Sequence, residues 1–197
     1  ALQTPDGVGD ACDPNPTESG DKFTFYAFDR DEPDWDRVSG SWAFSGDLLT
    51  YMGGASLSDD VTVARQGPTY TPPYSVEARF KINNLMVSGG FSVTANLDAQ
   101  NKGVGCMLQR TAGGDELVAY SSMTAARSSV ATINLDTKFT AKLSLTTTTA
   151  TCDIAGDRPD QPGATKMIPL DVVRAGRVGF EAHQLSAHAE YLIVYYK

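Results

Sequence analysis

The sequence predicts an all-β fold, a sandwich or barrel of about twelve to fourteen short strands. Three observations carry that expectation. Apolar residues recur at every second position, turn-forming residues interrupt them at short intervals, and helical periodicity is nearly absent.

Alternation is clearest in Tyr74-Ser-Val-Glu-Ala-Arg-Phe-Lys-Ile82. Tyr74, Val76, Ala78, Phe80 and Ile82 share one face, and polar or charged residues fill the other. Such a strand sets one face in a core and the other in water. Phe91-Ser-Val-Thr-Ala-Asn-Leu97 and Phe139-Thr-Ala-Lys-Leu-Ser-Leu145 repeat the pattern. Val104, Cys106 and Leu108 mark one face of a further strand, and Val178 to Ala182 and Tyr191 to Tyr196 close the chain.

Between these runs lie Gly53-Gly54, Ser58-Asp-Asp60, Gly67-Pro68, Pro72-Pro73, Asn83-Asn84, Gly89-Gly90, Gly113-Gly114 and Asp157-Arg-Pro-Asp160. Each pairs residues that supply a turn's special dihedrals or local hydrogen bonds. Thr146 to Thr149 reads as a β-branched hairpin end. The best helical candidate, Thr124 to Val130, is short.

A chain of 197 residues fits one domain of ordinary size. We expect it over residues 22–197, behind a leader at 1–21. The 41% hydrophobic and 20% charged residues describe a soluble globular composition. No apolar run approaches the ~20 residues that span a bilayer, and no signal peptide is visible. The net charge of −8 disfavours nucleic acid and anionic membrane, which need a basic footprint. Calcium or a neutral sugar suits it. Three cysteines, Cys12, Cys106 and Cys152, imply one bridge and one orphan. No Cys/His spacing suggests zinc.

Leader residues Asp6-Gly7-Val8-Gly9-Asp10-Ala11-Cys12-Asp13 offer carboxylates at intervals around two glycines. Calcium takes six to eight oxygens from carboxylates and backbone carbonyls, and glycine lets the chain turn tightly around it. This stretch resembles the thrombospondin type 3 repeat, Asp-x-Asp-x-Asp-Gly-x-Gly-Asp-x-Cys-Asp. The match departs at Leu2 and Thr4, which stand where that family has aspartates. The resemblance implies calcium held by the carboxylates of Asp6 and Asp13 and the carbonyl of Val8, with Asp10 serving this ion or the next. The alternative is a solvated acidic linker. In that family cysteines cross-link neighbouring repeats, which would give Cys12 a partner outside this sequence.

Residues 23 to 197 resemble a laminin G-like, concanavalin A-like jelly roll. Three stretches carry the likeness: Trp35-Asp-Arg-Val-Ser-Gly-Ser-Trp-Ala-Phe-Ser-Gly-Asp-Leu-Leu49, the strand Tyr74 to Ile82, and Gly176-Arg-Val-Gly-Phe-Glu-Ala182 followed by Ala187 to Tyr195. The resemblance implies a two-sheet antiparallel sandwich in a secreted or surface protein. Cys106 and Cys152 each fall in a strand-like segment, and a disulfide between neighbouring strands is expected. The alternative is two buried thiols packed as small hydrophobes.

His183 and His188 lie five apart across an expected turn at Gln184 to Ala187. They read as ordinary surface histidines rather than a metal pair. The Glu-x-Asp-x-x-Glu string of glycosidases on this sandwich is absent. Acidic groups at Asp29 to Glu32, Asp34/Asp36, Asp59-Asp60, Asp115-Glu116 and Asp157/Asp160 sit among turn residues. Most read as solvated loop charges, with a second calcium between two loops as the sharper alternative. Trp35, Tyr51, Tyr70, Tyr74 and Tyr120 could stack on sugar rings. Trp42 and Tyr74 are assigned to the core, and Trp35 and Tyr70 to an exposed ligand surface. The expected function is a non-catalytic binding module with a glycan or extracellular protein ligand and calcium as its ion. The rivals are a polysaccharide hydrolase or lyase, which would gather facing carboxylates on a groove floor, and a ligand-free adhesin spacer.

Overall fold

Residues 22–28, 34–37, 40–53, 61–161, 163–170 and 173–197 are described by a computed structural model of the chain. The leader, with Asp6, Val8, Asp10, Cys12 and Asp13, lies outside them, as do Asp29 to Glu32 and Asp59-Asp60.

Strand structure dominates, and no helix occurs among the described residues. Among the described residues thirteen strands form: β1 (Lys22–Ala27), β2 (Trp35–Arg37), β3 (Trp42–Ser45), β4 (Leu48–Met52), β5 (Val61–Arg65), β6 (Tyr74–Leu97), β7 (Val104–Thr111), β8 (Gly114–Tyr120), β9 (Ala125–Ser129), β10 (Lys138–Leu145), β11 (Thr149–Gly156), β12 (Ala164–Pro169) and β13 (Arg177–Tyr196). Every pairing is antiparallel. The short helix considered at Thr124 to Val130 is instead β9, held as a strand by its ladder to β8. Tertiary pairing overrides the weak local preference of Ala-Ala-Arg-Ser-Ser.

β6 and β13 organise everything else. They run as one ribbon, from Tyr74 opposite Tyr196 to Leu97 opposite Arg177. The outer edge of β13 takes β5 along Gly179 to Ala182, β4 along Ser186 to Ala189, and β1 along Tyr191 to Tyr196. β6 takes β10 on its first half and β7 on its second. One layer therefore reads β12-β11-β10-β6-β13-β1 and the other β9-β8-β7-β6-β13-β5-β2.

The ribbon folds over in its middle, so its two halves face each other. Phe80 from the first half and Phe91 from the second have ring centroids 4.7 Å apart. Register shifts at His183/Leu185 and Ser186/Ala187, with positive φ at Ser88 (69°) and Gln184 (49°), absorb the bend. The turns expected at Asn83-Asn84, Gly89-Gly90 and Gln184 to Ala187 are all inside these two strands. Gly89 is required there, since a Cβ would lie 2.5 Å from the Gln184 carbonyl oxygen.

The core lies between the layers. All five residues of the Tyr74 to Ile82 apolar face are buried. Aromatic contacts run across it from Phe139 to Phe80, Phe91, Phe180, Trp35 and Tyr26. Cys106 on β7 and Cys152 on β11 form a disulfide, Cα to Cα 5.1 Å. The strands so joined are not ladder neighbours. The bridge crosses between layers, which corrects the neighbouring-strand expectation.

One acidic residue departs from the solvated-loop reading. The Asp115 side chain is only 3% exposed. It receives Arg110 through Nε at 2.8 Å and Nη2 at 2.9 Å, and the Ile133 amide at 2.6 Å. Burial pushes its carboxyl up, but the Arg110 hydrogen bonds, the Ile133 N–H and the arginine charge together hold it below the usual range. A depressed folded pKa stabilises above the unfolded value, near 3.8, and that contribution fades as pH falls through the folded value. Asp115→Asn is therefore expected to lower the urea midpoint at pH 7, by about 1–3 kcal/mol in stability. The variant should lose less stability than the native chain between pH 4 and pH 2. Parallel pH profiles would contradict this account.

Candidate functional site

Register sets outward side chains of the β12-to-β1 layer in rows. One row holds Phe23, Tyr195, Ser75, Ser144, Thr151 and Met167. The next holds Phe25, Ile193, Glu77, Lys142, Asp153 and Thr165. Phe23 and Phe25 are half exposed on the edge strand. Edge strands that present apolar side chains mark contact surfaces.

A groove of about 360 Å³ opens at the end of these rows. Tyr195, Ser75, Ser144, Lys142, Thr146 and Lys197 contribute to its walls. The Lys142 ammonium lies 5.6 Å from the Tyr195 ring centroid, within cation–π range. Ser75 and Ser144 face each other across β6 and β10, and neither hydroxyl is bonded within the described residues. Thr146 is committed: its hydroxyl oxygen accepts the Thr148 and Thr149 amides, 3.1 and 2.9 Å away, and closes the β10–β11 turn. Tyr74 forms part of the inner wall. Burial raises its hydroxyl pKa, against the pull of the Asn96 N–H that donates to it at 2.9 Å.

On the other layer's outer face, Tyr120 is committed to the fold. The Tyr120 ring occupies the space that a Cβ on Gly105 would need. Its hydroxyl donates to Glu181 at 2.6 Å, and the Ser92 hydroxyl lies 3.1 Å away. This knot ties β8, β13 and β6 together, and the tyrosine is half-buried in it.

Carboxylate placement bears on catalysis. Glu181 on β13 and Glu116 on β8 are three strand spacings apart, about 14 Å. That exceeds the ~5–9.5 Å separations of glycoside hydrolysis. Glu116 also receives Arg127 and Gln109, each at 3.1 Å. On the grooved face, Glu77 and Asp153 are two spacings apart, about 10 Å, with Lys142 between them in register. Glu77 accepts the Tyr191 hydroxyl at 3.3 Å, and Asp153 accepts the Thr165 hydroxyl at 2.6 Å. Burial first, then the Glu77 charge, raises the Tyr191 pKa.

Trp35 and Tyr70, assigned from sequence to an exposed ligand surface, are both buried at 5% and 4%. Trp35 stacks on Phe180 at 6.2 Å and meets Phe28 and Tyr26 edge-on. Tyr70 shares a 2.9 Å hydrogen bond with the Tyr26 hydroxyl and pairs its backbone with Gly176. Pairing of β2 with β5 and the Tyr70–Gly176 bridge set both rings inward. Trp42 and Tyr74 are in the core as expected, and Tyr51 joins them. His183 and His188 are brought to opposite outer faces. His183 packs beside Gly90 and Glu181's strand neighbour Ser92, whereas His188 pairs with Asn83 at 3.1 Å beside Lys81. Burial pulls the His188 pKa down, more than Glu190 raises it. Among the described residues, no group of three or more His, Cys, Asp or Glu could hold a metal ion.

No family model matches the chain, and no curated protein matches it. Solved structures do. The carbohydrate-binding module CBM66 of Bacillus subtilis aligns with TM-score 0.57 and 15% identity, over 80% of this chain and 92% of that one. Peanut lectin aligns with TM-score 0.64 and 10% identity, over 90% and 97%. A Bacteroides ovatus xyloglucan-locus GH43B aligns with TM-score 0.60 and 11% identity, over 86% of this chain but 38% of that one. The fold is a concanavalin A-like, two-layer antiparallel jelly roll.

Proposed function

We propose that the chain is a non-catalytic carbohydrate-binding module of a secreted or surface protein, with residues 22–197 as the binding domain and 1–21 as a calcium-binding leader. One observation carries the reading: the groove puts two unbonded serine hydroxyls and a lysine side by side, against a largely buried tyrosine ring, on one face of a lectin-like sandwich. Sugars offer that combination an apolar ring face and a fringe of hydroxyls. CBM66 is described as carbohydrate-binding and shares the fold.

A glycan array probed with and without chelator tests this. We expect a signal that Ser75→Val with Ser144→Val removes while Tyr120→Phe retains it. Absence of signal under both conditions would overturn the reading in favour of a ligand-free spacer.

Calcium in the leader would come from Asp6, Asp10 and Asp13 carboxylates and the Val8 carbonyl. Excess chelator is then expected to lower the melting temperature by a few degrees, as ligand linkage requires. Asp6→Asn with Asp13→Asn should abolish that shift. A melting curve indifferent to chelator removes the metal.

A further inference from the structure

We infer that the groove beneath Lys142 takes a polysaccharide of carboxylate-bearing sugars, that is uronic acids, in preference to a neutral one. This rests on the carbohydrate-binding reading above. The first observation is the sign of the charge. The chain carries 24 acidic against 16 basic residues, yet among the described residues the charged side chains in the groove wall are Lys142 and Lys197.

The second is that Lys142 is uncompensated. Carboxylates flank it on both neighbouring strands, Glu77 on β6 and Asp153 on β11. Neither pairs with it. Glu77 is held by Tyr191 and Asp153 by Thr165. Two other cations of this face, Arg79 and Lys138, are consumed. Arg79 pairs with Asp157 and Glu190, each at 3.3 Å, and Lys138 pairs with Glu190 at 2.6 Å. Lys142 instead leans over the Tyr195 ring.

The third is geometric. Lys142 lies over the face of the Tyr195 ring, which is only 8% exposed, so a sugar entering the groove meets the ammonium rather than the ring. Ser75 and Ser144 line the floor beside it, where they can bond a sugar's hydroxyls while the ammonium meets its C5 carboxylate. An ammonium meeting a carboxylate makes a charge-assisted bond, stronger than one to a neutral hydroxyl. The net charge of −8 does not by itself forbid this, because exposed charges beyond about 8 Å are largely screened at physiological salt, and the nearer Glu77 and Asp153 are each engaged by a hydroxyl.

The test is affinity electrophoresis and calorimetry of the full chain against polygalacturonate and alginate, each also with its carboxylates methyl-esterified, plus neutral xyloglucan and dextran sulfate. We expect binding to a uronate polymer that esterification weakens about tenfold or more, the scale of one charge-assisted contact. Lys142→Met should weaken it likewise while the melting temperature holds, and Lys142→Arg should restore most of it. Equal affinity for acid and ester, or for Lys142→Met and the native chain, overturns the uronate preference and leaves carbohydrate binding standing. Equal affinity for dextran sulfate reduces the site to general polyanion attraction and overturns the inference. Binding to none of these polymers, with a blank array, overturns both readings.

Discussion

Phe180→Ala is expected to cost about 3–5 kcal/mol, the range for deleting a fully buried phenylalanine. Phe180 is wholly buried and central to the aromatic chain. Its ring stacks on Trp35 and touches Phe91 at 5.6 Å and Phe28 at 6.1 Å. Its backbone sits between β6 and β5, opposite Val93 and Val63. Neighbours fixed by ladders on both sides cannot collapse into the vacated volume, so the cavity penalty adds to the lost transfer energy. For a chain of this length, that corresponds to roughly 10 °C or more in melting temperature. Phe180→Leu keeps most of the volume and should lose much less. Urea denaturation reads both variants. An alanine variant within 1 kcal/mol of the native chain would sink the packing account.

Removing the disulfide should have the next largest effect. Cys106 and Cys152 are 46 residues apart and buried. On the chain-entropy account, a bridge closing a loop of that size stabilises by about 3–4 kcal/mol. The Cys106→Ala, Cys152→Ala double variant should melt roughly 10 °C lower. Labelling the unfolded, unreduced chain should find one thiol, on Cys12. Three labelled cysteines would refute the bridge. A double variant of native stability would show that the bridge only follows packing already secured by the core.

Period-two patterning made the sandwich legible. Tyr74, Val76, Ala78, Phe80 and Ile82 were placed on one face by sequence and are all buried. Continuity of the ribbon was not legible. Asn83-Asn84 and Gly89-Gly90 are residues a hairpin turn uses, but inside this strand the positive φ falls at Ser88 and the two glycines serve close approach. The groove was half legible. Alternation alone puts Ser75, Ser144 and Lys142 on the outer side of their strands. Their convergence with Tyr195 depends on the register of β10, β6 and β13, which no local pattern states. Trp35 and Tyr70 went the other way. Which way such a ring turns depends on pairing, and a bulky ring buries wherever a neighbouring strand offers space.

Two strands belong to both layers, and this shapes how the chain must come together. β13 finds β6 only after 79 intervening residues (98–176), so the central scaffold forms late and closes large loops. Neither layer can be assembled alone, because each lacks its middle until that late partner arrives. Refolding should accordingly be slow, on the milliseconds-to-seconds scale of sheet proteins dominated by distant pairings.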